Sequence, residues 1–488
     1  MKNRLYQKKH KFWLLAGALT FGVFYSCSDD FLDVPPEGQA VESQFFQTQA
    51  HALQAVNSIY GNLREWNNIA FAHLALTTVS SDDADKGSVP GDAGFMNLYD
   101  QFTVTPTEGQ LNGYWVGQYQ GINLANRVLD NVPNIEMDEA LKTRLLAEAK
   151  FLRAYHYFNL VRAFGGVPIV SKVPETPEEL NPARATREET YAFIEQNLTD
   201  AAAVLPTAYG AADIGRATKG AALGMLAKVK LYQSEWQDVL SLTEQVMGLG
   251  YSLTPDFYQI FRISGENNSE SIFEIQAQTI PGNCDASNSQ WAEVQAVREQ
   301  FGWGFFTPTE DLVNAFEPGD VRKEATILFR GETTPEGDLI NPNAPNPRYN
   351  QKAYVPSSVT QACGYGKDQN IRILRYAEIL LMHAEAANEL GQTGKAESSL
   401  NMVRERAGLD PITFTTKEEM RMRIWHERRV ELALENGERF YDLVRQGRAE
   451  QVLRAHGKNF TTGKNEVFPI PLNQITLSGG KLVQNPGY

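Results

Sequence analysis

The chain has 488 residues, 42% hydrophobic and 21% charged, an ordinary balance for a folded protein with room for a large core. Its formal charge of −14 argues against nucleic acid as a partner, because no basic face is available to gather phosphates. Acidity of this size also suits plain solubility.

Residues 1–26 read as a targeting segment. Lys2, Arg4, Lys8, Lys9 and Lys11 lead into an apolar run at 12–25 that is too short to span a bilayer comfortably. The run stops at Ser26–Cys27, a small residue before a cysteine, as in lipoprotein signals. Phe24 and Tyr25 are bulkier than the usual lipobox, which leaves ordinary cleavage as the alternative. Cys27 is then the acylated first residue of the mature chain, and several acyl chains anchor firmly where one is marginal. Loss of five cations and no acid takes the mature chain to about −19. Ser28–Asp29–Asp30 reads as an acidic signal for export to the outer face.

Residues 43–60 are predicted as a first helix, with Phe46, Ala50, Leu53, Val56 and Ile59 on one side. A stretch rich in Gly, Asp, Ser and Pro follows at 67–113; loops of this length are usually functional or disordered, and Phe71, Phe95, Tyr99 and Phe102 argue against disorder. Helices are expected at 112–132, from Asp138 to a stop at Gly165–Gly166, at 186–205 and at 218–232. After Gly250 the period changes: 271–276 looks like a strand, and 281–363 is dominated by turn residues. Thr416 with Glu419 predicts a capping box opening a helix that runs to Glu435 and closes at Gly437. A last helix at 440–454 precedes an extended tail.

The stretch 374–409 sets the architecture. Tyr376, Ile379, Leu380 and His383 recur at helical spacing, Gly391 interrupts, and Ala396, Leu400 and Val403 resume. Small Ala384 and Ala396 let two backbones approach, the layout of a tetratricopeptide (TPR) hairpin. Leu223, Ala227, Trp236 and Val239 repeat the register of Leu380, Ala384, Thr393 and Ala396. A TPR-like helical-repeat scaffold is therefore expected, its pairs lying mainly within 43–250 and 371–455.

Several segments together resemble the SusD/RagB family of outer-membrane nutrient-binding lipoproteins. They are Phe31-Leu32-Asp33; Trp115, Tyr119, Ile122 and Asn126; FLRAYHYFNLVRAFGGVPIV (151–170); GRATKGAALGMLAKVKLY (215–232); GWGFFTPTEDLVNAFEPGD (302–320); RYAEILLMHAEAANELG (375–391); ERRVELALENGERFYDLVRQGR (427–448); and the FPIP…NPGY ending. The resemblance implies a single all-α domain over 27–488, a TPR-like helical-repeat scaffold of about four helix pairs with long irregular loop insertions and a few short strands, that binds oligosaccharide or polysaccharide at the cell surface. It also implies docking on a SusC-like, TonB-dependent outer-membrane barrel, to which the sugar is passed. Capture without cleavage is the implied chemistry, with no cofactor.

Sugar capture needs flat apolar surface against a pyranose ring and polar groups for its hydroxyls. The ligand face is expected on the loops at 67–113 and 281–363. Trp291, amid polar residues, Trp303, in the GWGFF signature, and Trp66, just before the first long loop, are the candidate stacking rings. Trp115, Trp236 and Trp425 lie on predicted helices and read as core. Asp82 and Asp83, with Asp85, are candidates for sugar hydroxyls or a structural Ca²⁺, although Ser88 breaks the EF-hand pattern; Tyr99 is a candidate for the same mouth. Cys284 and Cys363 are free to pair in an oxidising compartment, but sequence does not place them within reach.

Two other functions remain open. Glu427 and Glu431, at i and i+4, share a helix face, and paired carboxylates are what a lipid-anchored glycoside hydrolase would use. Interleaved Arg428, Arg429 and nearby Arg439 instead suggest ion pairs that lock the C-terminal helices. His426–Glu427 lacks the second histidine of a zinc HExxH, since Val430 stands there. The remaining alternative is a TPR scaffold that binds only peptide or protein.

Overall fold

The computed structural model of the chain describes residues 45–282, 289–359, 363 and 366–488. The signal segment, Cys27 and Cys284 lie outside the described residues. Cys363 is disulfide-bonded.

Eight helices stand in a row: α1 (Gln49–Asn62), α2 (Gly109–Asn131), α3 (Glu139–Phe164), α4 (Arg187–Val204), α5 (Lys219–Leu231), α6 (Trp236–Met247), α7 (Tyr376–Glu389) and α8 (Thr393–Arg406). Each packs on the next, and α9 (Lys417–Leu432) covers α7. This is the stacked-pair logic of a solenoid, in which no helix can bury its apolar side alone. Ala384 and Ala396 are fully buried where α7 and α8 meet, and Gly391, at φ +72°, makes the turn between them.

Local signals start and stop these helices. Asp138 Oδ1 accepts from Leu141 N–H at 2.7 Å to open α3, and Gly165, at φ +75°, ends it. Thr186 and Glu189 form a reciprocal capping box on α4. Such caps contribute about 0.5–2 kcal/mol each. The C-terminal part of α3, between α2 and α4, is buried on every side, so its polar residues must all find partners. Arg153 reaches Asn126 Oδ1 (2.8 Å) on α2 and Asn197 Oδ1 (2.7 Å) on α4; His156 meets Gln118 Oε1 at 2.8 Å.

The helical row is continuous while the chain is not. α6 packs directly on α7, so everything between them loops out of the scaffold. Strands β2 (Ser271–Ile275) and β6 (Ile371–Arg375) pair antiparallel and zip the neck of this insertion. Inside it, β4 (Ile327–Phe329) pairs with β5 (Arg348–Asn350), while β3 (Phe305–Pro308) pairs with β1 (Ala84–Gly87) of the earlier loop region. The two long loop regions are therefore stitched to each other.

Buried ion pairs fasten the insertion to α9. Arg322 lies 2.7 Å from Glu427 and 3.0 Å from Glu431; Arg375 reaches Glu431 (2.9 Å) and Glu435 (2.7 Å); Lys352 meets Glu435 at 2.8 Å. Glu427 and Glu431 thus lock the fold as expected, but with arginines from outside their own helix.

Four details of the sequence reading need correction. The first helix begins at Gln49, because Thr48 accepts from His51 N–H and fixes the start there. Glu419 does not complete the box with Thr416; its carboxylate accepts from Thr415 instead. α9 ends at Leu432, and Gly437 opens rather than closes a helix, α10 (Glu438–Arg445). What reads as one last helix is broken at Gly447, φ +68°, before a short helix at Ala449–Ala455. Among the described residues no helix is long and apolar enough to cross a membrane.

Candidate functional site

Aromatic rings from three segments meet where β1 and β3 bring the loop regions together. Trp66 opens a one-turn helix just after α1, and Phe71 begins the next. Trp303 comes from the insertion. Ring centroids lie 5.2 Å apart for Trp66 and Phe71, 5.8 Å for Trp66 and Trp303, and 5.8 Å for Phe71 and Trp303. The two indole planes are inclined by 47°, so they form a bent surface rather than one flat sheet. Phe95 adds an edge contact to Phe71. Trp66, Phe71, Phe95 and Trp303 are all half-buried, while Phe305 and Phe306 beneath are buried. A base of buried rings thus supports a rim that solvent can reach.

The backbone around Trp303 is held tightly. Trp303 N–H donates to Glu293 O at 2.9 Å and Gly304 N–H to Ala296 O at 2.8 Å. A Cβ at Gly302 would collide with the Glu293 carbonyl, so only glycine allows this approach. Ser88 N–H donates to Gly304 O, which ties the first loop region to the same turn.

The other candidates lie elsewhere. Trp291 is only 4% exposed, on a short helix (Trp291–Gln295) within the core, so the expectation of an exposed ring there is corrected. Its polar neighbours in sequence did not report its burial. Asp82 and Asp83 are also buried. Arg439 clamps Asp82 at two points, Nε to Oδ1 at 2.7 Å and Nη2 to Oδ2 at 2.8 Å, and Arg429 Nε meets Asp83 Oδ1 at 2.7 Å. Burial pushes the Asp82 carboxyl up, but the two guanidiniums outweigh it and hold it well below the usual carboxylate range. For Asp83 burial prevails and the carboxyl is raised. These groups are core clamps, not a sugar-facing edge.

Asp82, Asp311 and His456 do bring ligand atoms within 4.8 Å of one another. Arg429 Nη2, however, already sits 3.0 Å from Asp82 and 2.6 Å from Asp311, so the charge a Ca²⁺ would meet is matched by a guanidinium. Tyr99 is fully buried, and its hydroxyl donates to Glu108, which itself caps α2; it lines no mouth. Much of the region expected as ligand loop is thus a wedge of core: residues 72–84 are buried throughout. Trp115 is core as expected, whereas Trp236 and Trp425 are half-buried at its edge.

Glu427 and Glu431 are 1% and 0% exposed, and the guanidiniums of Arg322, Arg404 and Arg406 close around them. The groups around the rings that residue types alone did not single out are Lys86, Asp92 and Arg298. Arg298 Nη1 lies 2.7 Å from both Ser88 Oγ and Asp92 Oδ2. A cavity of 430 Å³ lies on the other side of α2, lined by Trp115, Tyr119, Pro168, Leu180 and Leu482. The Trp115 and Tyr119 rings lie 5.1 Å apart along it, inclined by 32°, but Trp115 is buried, so only one ring of that pair is open to a sugar face.

Fold and site together define a class: an all-helical repeat scaffold displaying an aromatic platform on stitched loop insertions. The chain belongs to the SusD/RagB family. Residues 269–488 match the SusD family, and residues 30–231 match a family described as starch-binding associating with outer membrane. A solved laminarin-binding SusD-like protein is 30% identical, with a TM-score of 0.78 over 91% of this chain and 100% of that one. Surface glycan-binding protein A from Bacteroides fluxus is 28% identical, with a TM-score of 0.77 over 91% of this chain and all of that one. SusD-like protein P2 from Formosa agariphila is 27% identical across 99% of this chain and 100% of its own length.

Proposed function

We propose that this protein is a cell-surface glycan-binding lipoprotein that captures oligosaccharide on the Trp66–Trp303 platform. The single observation that carries this reading is the partly exposed, bent pair of indoles on a buried aromatic base. A pyranose presents an apolar C–H face, and two inclined planes can hold successive residues of a chain that is not straight. Relatives named for laminarin, starch or glycan binding support the same reading.

In this proposal the chain is held to the outer membrane through an acylated Cys27, faces the exterior, and passes its cargo to a SusC-like, TonB-dependent barrel. The chemistry is capture, without a cofactor and without cleavage. Burial of Glu427 and Glu431 behind arginines supports the last point, since a glycosidase needs its two carboxyl groups against the scissile bond.

The test is a glycan array probed with the chain from residue 27 onward, followed by affinity electrophoresis of Trp66→Ala and Trp303→Ala in the polysaccharide that scores highest. Retention should fall at least about tenfold in each variant. Undiminished retention in both, or no binding across a broad array, sinks the reading. Release of reducing ends from the same polysaccharide would favour a hydrolase.

A further inference from the structure

Among the described residues, four of the eight non-glycine residues with positive φ lie where the first loop region meets the turn that carries Trp303: Ser88 (55°), Ala93 (43°), Glu299 (62°) and Phe306 (57°). Each such residue costs on the order of 1–3 kcal/mol and persists only where its surroundings over-determine it. Two cations hold this crossing together. Lys86 Nζ donates to the carbonyls of Gly87 (3.1 Å), Val89 (2.9 Å) and Asp92 (2.8 Å), which curls the 87–92 loop around one ammonium. Arg298 Nη1 then reaches across from the insertion. It lies 2.7 Å from Asp92 Oδ2 and from Ser88 Oγ, and 3.3 Å from the carbonyl oxygen of Trp303 itself.

That last contact matters because the two halves of the platform come from different parts of the chain. Trp66 is fixed by the end of α1, whereas Trp303 rides on a turn tied to the first loop region by the β1–β3 pairing, by ring contact with Phe71, and by hydrogen bonds through Ser88, Asp92 and Asn346. Asn346 Nδ2 donates to Ser88 O at 3.2 Å and belongs to the same knot. Arg298 is only partly buried, its side chain 23% exposed, so its removal leaves no large cavity. One guanidinium nitrogen shared among three oxygens at a loop crossing is a device for orientation more than for stability.

We infer that Arg298 is a positioning residue for carbohydrate capture: by joining Asp92 and Ser88 to the Trp303 carbonyl it sets the angle of the Trp303 indole against Trp66. The inference rests on the proposed capture function, but the geometry it claims can be read without any sugar. Two indoles this close couple excitonically, giving a paired band in the circular dichroism spectrum that vanishes when either ring is removed.

The experiment compares the mature chain with Trp66→Ala, Arg298→Ala, Arg298→Lys and Asp92→Asn. Arg298→Ala should lose most of the band that Trp66→Ala loses, with its thermal midpoint little changed. Arg298→Lys should recover part of it, and Asp92→Asn should weaken it. With laminarin and soluble starch as probes, Arg298→Ala should bind roughly tenfold more weakly. An unaltered band in Arg298→Ala, or no coupled band in the unsubstituted protein, overturns the inference. If Arg298→Ala loses the band while the unsubstituted protein binds no glycan, capture is wrong and the positioning role stands. If Trp303→Ala abolishes binding but Arg298→Ala binds within about twofold of the unsubstituted protein, capture stands and the positioning role is wrong.

Discussion

Arg375 and Glu431 are joined at 2.9 Å where the neck of the insertion meets α9, with side chains 1% and 0% exposed. Glu431 also accepts from Arg322 and Arg406, so one carboxylate serves three guanidiniums from three segments. Burial pushes its carboxyl up, and those cations pull it well below the ordinary range. Replacing it by glutamine leaves buried positive charge uncompensated. Glu431→Gln should therefore cost about 3–5 kcal/mol in urea unfolding. A folded-state pKa below that of the unfolded chain means this contribution is present above pH 4.5 and is lost as the pH falls below it. The acid limb below 4.5 should accordingly be shallower in Glu431→Gln; an unchanged limb and midpoint would show that the network is idle.

Above that range a different set of groups governs. Burial pushes His73 down to about 4 and His156 down to about 3, so both are neutral in the fold. In the unfolded chain they take up a proton near 6.5. Because the unfolded state binds protons that the folded state refuses, the contribution of these two histidines is complete above pH 6.5 and declines below it. At about 1.4 kcal/mol per unit for each histidine, the loss reaches roughly 5 kcal/mol two units down. Glu266, which burial raises to about 7, works in the opposite direction over the same range, so the test is a difference between variants. His156→Gln should lower the thermal midpoint more at pH 7 than at pH 4.5; an equal loss at both contradicts the assignment.

Gly437 sits at φ +71° directly against Thr77, where an added Cβ would overlap the threonine side chain. Both the backbone conformation and the lack of space call for glycine. Gly437→Ala should destabilise by about 1–3 kcal/mol. Thr77→Ala in the same chain should recover the part due to crowding and leave the part due to φ, so the two substitutions should be non-additive in a double-mutant cycle. Strict additivity would mean that the contact is not felt.

What could be read in advance follows from the range of the interaction. The Asp138 cap, the Gly165 stop and the Gly391 turn lie within a few residues of the helices they shape, and all are where the pattern puts them. The Leu223/Leu380 register was legible because repeated pairs reuse one local geometry. Asp82 and Asp83 were misread because their partners, Arg439 and Arg429, stand 357 and 346 residues away, and no local pattern carries that. The π-helix at Ala75–Val79 and the buried run around it likewise answer to α10 and α2, not to the turn-rich composition of their own loop. At the platform the residue types pointed to Trp66 and Trp303. Their contact depends on a β1–β3 pairing between segments far apart in the chain.

The same limit separates two tryptophans that look alike in sequence. Trp291, set among Asn, Ser and Gln, is 4% exposed and packs into the main core, whereas Trp66 is half-buried on the platform rim. Removing a buried indole leaves a cavity its neighbours fill only in part, so Trp291→Ala should cost about 3–5 kcal/mol. Any loss of glycan retention in that variant should track its unfolding and disappear at temperatures well below its midpoint. Trp66→Ala should do the reverse: a smaller stability loss of about 1–3 kcal/mol, with retention reduced at every temperature where the protein is folded. Parallel thermal melts and affinity electrophoresis decide it. A folded Trp291→Ala that has lost retention, beside a Trp66→Ala that has kept it, would move the ligand face away from the indole pair and back to the Trp291 segment.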